Sequence, residues 1–226
     1  MTDTAKRFST VVFDLDGTLV HSAPDLMHAA NKVLAGEGRR KITIDEVMMM
    51  VGDGVPKLVE RAFAATGAPL TSVESGDMAK VFMGHYDGKG AIDTKPFPGA
   101  VDMLNRLRDA GYRMGVCTNK PQSPTEQILR DLGLAHYFDA VLGGDKLPVR
   151  KPDGEPLRAV LRELGAAPGT AVMVGDSIND VMTAKNAGVP AIAVTFGYPR
   201  MPVAELGADL LIESFDELPE AFARLP

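Results

Sequence analysis

Three short apolar runs, each ending in a polar cluster, constrain the fold of this 226-residue chain more than any other feature. Thr10-Val11-Val12-Phe13 leads into Asp14-Leu15-Asp16-Gly17-Thr18, and Arg113-Met114-Gly115-Val116-Cys117 into Thr118-Asn119. Thr170-Ala171-Val172-Met173-Val174 leads into Gly175-Asp176-Ser177, with Asn179-Asp180 just beyond. A short β-rich apolar run bounded by Asp and Gly reads as a buried strand arriving at a loop. Residues 190–195 and 208–212 read as further strands, and 139–142 as a weaker one. Helical spacing lies between them, at 99–110 (Val101, Leu104, Leu107), 127–134, 156–164 and 179–187. Strands alternating with helices imply right-handed crossovers and a parallel sheet covered on both faces. The fold class expected is a doubly wound α/β domain.

Residues 23–94 break that alternation. The patterns predict helices over 24–34, 44–50, 55–65 and 73–83, separated by Gly-rich breaks, and no strand. Ser22 is placed to cap the first, and Pro24 falls near its first turn. Lys95-Pro96-Phe97-Pro98-Gly99 marks the return to the α/β pattern. The organisation expected is a core of residues 1–20 and 95–226, with an all-helical cap inserted over 21–94.

Composition excludes several classes. With 45% hydrophobic and 24% charged residues the chain has ordinary globular make-up. Its 24 Lys+Arg against 30 Asp+Glu give a net charge of −6, which disfavours nucleic acid and anionic membrane as partners. One cysteine, Cys117, rules out an intrachain disulfide framework and a multi-cysteine zinc site. No segment has the unbroken apolar length of a membrane helix, and the first ten residues carry no leader-like apolar stretch. A cytoplasmic monomer or homodimer is expected.

In doubly wound sheets the ligand crevice lies outside the carboxyl ends of the strands, so the three polar clusters should converge. A single such cluster reads as a turn or a helix cap, but three in phase with three strand ends do not. Asp14 and Asp16, two apart on extended chain, can face one ligand. Paired carboxylates divide labour: one attacks as an anion while the other holds a proton for a leaving group. Gly17 would let the backbone approach a ligand. With Asp176 the negative charge is concentrated enough to suit Mg²⁺, which favours oxygen ligands and phosphate. Lys151 is the candidate for the compensating positive charge.

These motifs resemble those of the haloacid dehalogenase superfamily, in its phosphoglycolate phosphatase group. The first is Asp14-Leu15-Asp16-Gly17-Thr18-Leu19-Val20, and the second is Thr118 within Val116-Cys117-Thr118-Asn119-Lys120. The third is Lys151-Pro152, and the fourth Gly175-Asp176-Ser177-Ile178-Asn179-Asp180. The resemblance implies that Asp14 is the nucleophile of an aspartyl-phosphate intermediate and Asp16 the general acid and base. It implies Mg²⁺ held by Asp14, the Asp16 backbone carbonyl and Asp176. Thr118, Asn119 and Gly17 would meet the phosphoryl oxygens, Lys151 would steady Asp14 and the phosphoryl group, and Thr18, Ser177 and Asp180 would support from behind. Asp16 distinguishes phosphate chemistry from the metal-free dehalogenase branch, whose halide leaves without a proton.

The cap should select the substrate. Gly52-Asp53-Gly54, followed by Lys57, resembles the cap segment of phosphoglycolate phosphatases, so Gly54 and Lys57 are substrate-binding candidates. Asp53 would repel a substrate carboxylate where Lys57 would attract it; a helix break capped by Asp53 is the alternative. His21 stands where relatives commonly carry an acidic residue, and Gly154 replaces a second proline often found after the third motif. Met48-Met49-Met50 reads as flexible core packing and Cys117 as an inert buried thiol. Lys120, His85 and Tyr86 carry no role assignable from sequence. The activity expected is Mg²⁺-dependent hydrolysis of a small phosphorylated metabolite, foremost 2-phosphoglycolate. The competing expectations are another ester, such as a sugar phosphate or pyrophosphate, a sugar phosphomutase of the β-phosphoglucomutase kind, and a phospho-accepting regulator. The inserted cap argues against the last.

Overall fold

The computed structural model describes residues 7–86 and 91–225. The polar amino end read above as lacking a leader lies in part outside them. In chain order the elements are β1 (Thr10–Phe13), β2 (Val20–His21), α1 (Ala23–Gly36), α2 (Ile44–Met48), α3 (Val55–Thr66), α4 (Ser72–Tyr86) and β3 (Lys95–Pro96). There follow α5 (Ala100–Asp109), β4 (Arg113–Cys117), α6 (Gln122–Asp131), β5 (Ala140–Leu142), α7 (Glu155–Glu163) and β6 (Ala171–Gly175). The chain ends with α8 (Ile178–Ala187), β7 (Ala191–Val194), β8 (Leu210–Ile212) and α9 (Leu218–Arg224).

Six strands form one parallel sheet in the order β5-β4-β1-β6-β7-β8. β1 lies between β4 and β6, with Phe13 in register with both Val116 and Val174. The three runs singled out in the sequence are therefore adjacent strands ending at one level. Alternate residues serve opposite faces. Val11 and Phe13 pack with Met114, Val172, Leu104 and Phe215 on one side, and Val12 packs with Met173, Leu157 and Val160 on the other. Burial on both faces explains why these strands read as continuous apolar runs rather than alternating ones. Gly115 on β4 has a packing reason: a Cβ there would stand 2.7 Å from Val160 Cγ1. Its absence lets α7 lie close against the sheet.

The four helices α1–α4 build a core of their own from Leu26, Val33, Leu34, Val47, Leu58, Val59, Phe63 and Phe82. Each such side chain contributes roughly 1.5–3 kcal/mol on full burial. α2 starts at a capping box in which Thr43 and Glu46 satisfy each other's backbone N–H groups. This helical cap joins the sheet domain through β2 and β3, a two-residue antiparallel pair absent from the sequence reading. Pairs this short leave no periodic signal. Helix α6 also differs, spanning Gln122–Asp131 where spacing pointed to 127–134. Its first turn is polar, and the backbone N–H of Gln122 is satisfied by Asp145 Oδ1 at 2.8 Å, a partner too distant in sequence to read locally.

Candidate active site

The carboxyl ends of β1, β4 and β6 deliver Asp14, Thr118 and Asp176 to one place. Asp14 follows directly from β1, its N–H bonded to Val174 O at 2.9 Å. Asp176 follows β6, and Ser177 and Asp180 form a capping box at the start of α8. Asp180 Oδ2 accepts hydrogen bonds from Ser177 N at 3.0 Å and Ser177 Oγ at 2.6 Å. Carboxylate oxygens of Asp14, Asp176 and Asp180 all lie within 4.8 Å of one another, and the three residues are buried. Lys151 Nζ sits 2.9 Å from Asp14 Oδ1 and 2.6 Å from Asp180 Oδ1. The contact with Asp14 lacks hydrogen-bond alignment, which leaves Asp14 Oδ1 a buried acceptor with no donor directed at it.

One ammonium among three carboxylates leaves the cluster short of positive charge. Burial raises the Asp14 pKa to about 6, with Lys151 opposing the shift and Asp180 and Asp16 adding to it. Asp176 is raised well above the ordinary carboxylate range, chiefly by burial and then by Asp180 and Asp14. Burial disfavours the charged form of Lys151 too, but Asp14 and Asp180 outweigh it and hold the ammonium protonated. Carboxylate oxygens this close, under-compensated and one without a donor, fit a divalent cation. Gly17 makes the packing possible: at φ +87°, a Cβ would fall 2.3 Å from Asp176 Oδ2. Thr18 Oγ1 donates to Asp176 Oδ1 at 3.2 Å, and Tyr198 N to its Oδ2 at 2.7 Å.

Asp16 is turned away from that cluster. Its Oδ1 accepts from Ser22 Oγ at 2.5 Å, and Lys120 Nζ lies 3.2 Å from both of its carboxylate oxygens. Lys120 also donates to Tyr86 OH at 2.6 Å. Asp14 and Asp16 still line a single cavity with Thr118, Asn119, Lys120 and Tyr86, closed by Leu26, Val51, Val55 and Leu58 from the cap. Thr118 Oγ1 accepts the Lys120 N–H at 3.2 Å, and its own hydroxyl proton remains to be donated. The Asn119 side chain is a clasp: Nδ2 donates to Gly52 O at 2.8 Å and Lys151 O at 3.0 Å, while Oδ1 accepts from Lys151 N at 3.0 Å.

The structure thus gathers Asp14, Asp16, Thr118, Asn119, Lys151, Asp176, Asp180, Thr18, Ser177 and Gly54 into one region, Gly17 lying behind Asp176. Lys57 is not brought in: it pairs with Glu60 at 2.7 Å on the exposed face of α3 and does not line the cavity. Asp53 does not confront the cavity as an isolated anion, because Arg61, Arg200 and Asn179 all bond to it. His21 bonds to Tyr198 OH through Nδ1 at 2.7 Å. Burial pushes the Cys117 thiol up to about 12, in keeping with an inert group. Sequence reasoning missed Lys120, Tyr86, Tyr198 and Arg200. The last two had one legible signal, a position just beyond the carboxyl end of β7.

The model of the haloacid dehalogenase-like hydrolase family matches residues 8–188, which span all four polar motifs. The chain belongs to this family. It is 45% identical over 213 residues to the phosphoglycolate phosphatase of Caulobacter vibrioides, covering 94% of this chain and 90% of that one. A predicted phosphoglycolate phosphatase from Haemophilus somnus superposes with a TM-score of 0.89 at 31% identity, covering 96% of this chain and 99% of that one. The CbbY protein of Rhodobacter sphaeroides, solved in complex with phosphate, superposes with a TM-score of 0.73 at 27% identity, covering 93% and 96%. This chain is a hydrolase whose curated relatives are phosphoric monoester hydrolases.

Proposed function

We propose that this hydrolase cleaves 2-phosphoglycolate with Mg²⁺ through an aspartyl-phosphate. The observation that carries the reading is that Asp14 and Asp16 line one cavity whose facing cation is Lys120 and whose cap wall is apolar apart from Tyr86, already bonded to Lys120, and the Gly52 and Gly54 backbone. Asp14 lies among Asp176, Asp180 and Lys151, so its carboxylate is the one set to attack phosphorus. Mg²⁺ held by Asp14, Asp176 and the Asp16 carbonyl would neutralise phosphoryl charge and keep Asp14 ionised. Thr118 Oγ1 and Lys151 Nζ stabilise the equatorial oxygens as the bond to the leaving oxygen lengthens. Asp16 enters the cycle protonated and gives that oxygen its proton. The carboxylate this leaves, paired with Lys120, then takes a proton from the water that attacks the aspartyl-phosphate, which releases inorganic phosphate and restores both Asp14 and protonated Asp16. Ser22 and Lys120 hold the Asp16 carboxylate in place for both transfers.

The substrate class follows from the cavity wall. A carboxylate on the leaving group can pair with Lys120 Nζ, whose ammonium is kept charged by Asp16 and Tyr86 despite burial. Leu26, Val51, Val55 and Leu58 offer nothing to the hydroxyls of a sugar, whose burial without partners costs roughly 1–3 kcal/mol each. The test is phosphate release across 2-phosphoglycolate, methyl phosphate and glucose 6-phosphate with and without Mg²⁺, alongside an assay of glucose phosphate interconversion. The expected outcome is Mg²⁺-dependent release, fastest from 2-phosphoglycolate and without interconversion. Asp14→Asn should abolish turnover; a variant that kept it would remove Asp14 as nucleophile.

A further inference from the structure

One loop, following β7, touches both the carboxylate cluster and the cap. Gly197 is pressed against the cluster, since a Cβ there would stand 2.3 Å from Asp176 Cβ and 2.4 Å from Gly17 O. The next residue, Tyr198, gives its N–H to Asp176 Oδ2 at 2.7 Å. The Tyr198 side chain is buried in the cap core. Its hydroxyl accepts from Ala23 N at 3.2 Å at the start of α1 and meets His21 Nδ1 at 2.7 Å on β2. Two residues further on, Arg200 bonds to Asp53 Oδ2 in the cap loop between α2 and α3. Asp53 is completed by Arg61 from the cap and by Asn179 Nδ2 from α8 at 2.6 Å. Half-buried though it is, Asp53 is held down at about 2, because these hydrogen bonds outweigh the effect of burial. Asn179 also donates to Gly52 O at 3.1 Å, beside the Asn119 clasp.

We propose that residues 196–200 form a closure strap, in which Tyr198 and Arg200 hold the cap shut at the β2–α1 junction and at the 52–54 loop while the strap backbone seats Asp176. Tyr198, Arg200 and Asp53 are then positioning residues: they touch no reacting atom. Because one short segment makes all three attachments, shifting it to release the cap also withdraws the Tyr198 N–H and the Gly197 backbone from Asp176. Cap closure and cation seating therefore favour each other, and by linkage each strengthens the other by the same factor. This goes beyond the proposed hydrolysis and rests on it only in taking Asp176 as part of the cation site.

The experiment uses the full chain and Mg²⁺ alone, without substrate. Calorimetric titration gives cation affinity. Nitroxides at Val73→Cys and Leu211→Cys, both exposed and on opposite partners of the closure, report the cap-to-core distance, the native Cys117 being buried. Wild-type protein should bind Mg²⁺ and narrow its distance distribution on binding. Arg200→Gln, and independently Asp53→Asn on the cap side, should broaden the distribution and weaken Mg²⁺ binding on the order of 5- to 10-fold. Arg200→Lys, which keeps the charge, should restore part of both. If Mg²⁺ binds the wild type but both variants keep its affinity and its distances, the strap is overturned. If the wild type binds no Mg²⁺, the cation assignment fails and the strap fails with it.

Discussion

At Gly17 a single hydrogen in place of a side chain decides whether the carboxylate cluster can form. The residue has φ +87°, and a Cβ would stand 2.3 Å from Asp176 Oδ2 and 3.0 Å from the Tyr198 ring. Gly17→Ala should cost about 1–2 kcal/mol from backbone conformation alone. It should also displace Asp176 and lower Mg²⁺-dependent phosphate release at least 100-fold, read by thermal unfolding and a phosphate assay on one preparation. Lys120 makes a second residue-scale case. Lys120→Met should lower kcat/KM for 2-phosphoglycolate relative to methyl phosphate by about 100-fold, the scale of a lost buried charge pair. An equal fall for both esters would mean that Lys120 serves Asp16 and does not read the substrate. Asp14, Asp16, Thr118 and Asp176 were legible in the sequence because each follows a strand whose apolar run announces itself, whereas Lys151, nine residues beyond β5, was legible only as the positive charge the carboxylates require and through the Lys151-Pro152 motif. Lys120 and Tyr86 were not, because nothing local distinguishes a lysine over a carboxylate from one in solvent. The Lys57 side chain shows the converse: its proximity in sequence to the Gly52-Asp53-Gly54 loop gave it promise, but the turn of α3 points it outward to Glu60.

Strands and helices carry the charge problem to the end of the sheet, and its solution depends on pH. β1 and β6 present Asp14 and Asp176, both with folded pKa values raised above the unfolded ones by burial. A carboxyl whose pKa is raised on folding favours the fold while protonated, and that contribution is lost as pH climbs from about 4 through about 6. Without a divalent cation, the stability supplied by Asp14 should therefore decline over that window, and that supplied by Asp176 should likewise fall as pH rises. Added Mg²⁺ should offset the decline, because it binds the ionised forms. The gap in melting temperature between Mg²⁺ and EDTA samples should be small near pH 4.5 and widest above pH 6.5. A gap independent of pH would place the cation away from Asp14 and Asp176. At this scale the sequence was readable wherever burial imposed a run or a period, as in β1, β4 and β6. It was unreadable in β2 and β3, two residues each, and at the start of α6, where Asp145 supplies the cap from a distant turn.

For the molecule as a whole, the interruption of the βα pattern between β1 and β3 has an energetic counterpart. The cap buries Leu34, Phe63 and Phe82 in a core separate from those on the two faces of the sheet, and the two units meet through β2–β3, the strap and the clasp on Gly52. Two cores joined by short strands, polar contacts and a narrow aromatic bridge through Phe97 and Tyr198 should open independently, which is the property a lid over a reaction cavity requires. We therefore propose that helices α1–α4 move as a unit. Leu34→Ala, a fully buried change in α1, should cost about 2–5 kcal/mol locally. If the units are separable, hydrogen exchange of amides in α1, α3 and α4 should accelerate while those of β1, β4 and β6 keep their wild-type rates. The reverse substitution, Leu104→Ala beneath the sheet, should accelerate exchange in the strands and, because β2 and β3 spring from that domain, in the cap as well. Symmetric acceleration by both variants would show a single cooperative unit. The cap would then have to admit substrate by side-chain movement within a closed cavity, and the strap would hold together two halves that never part.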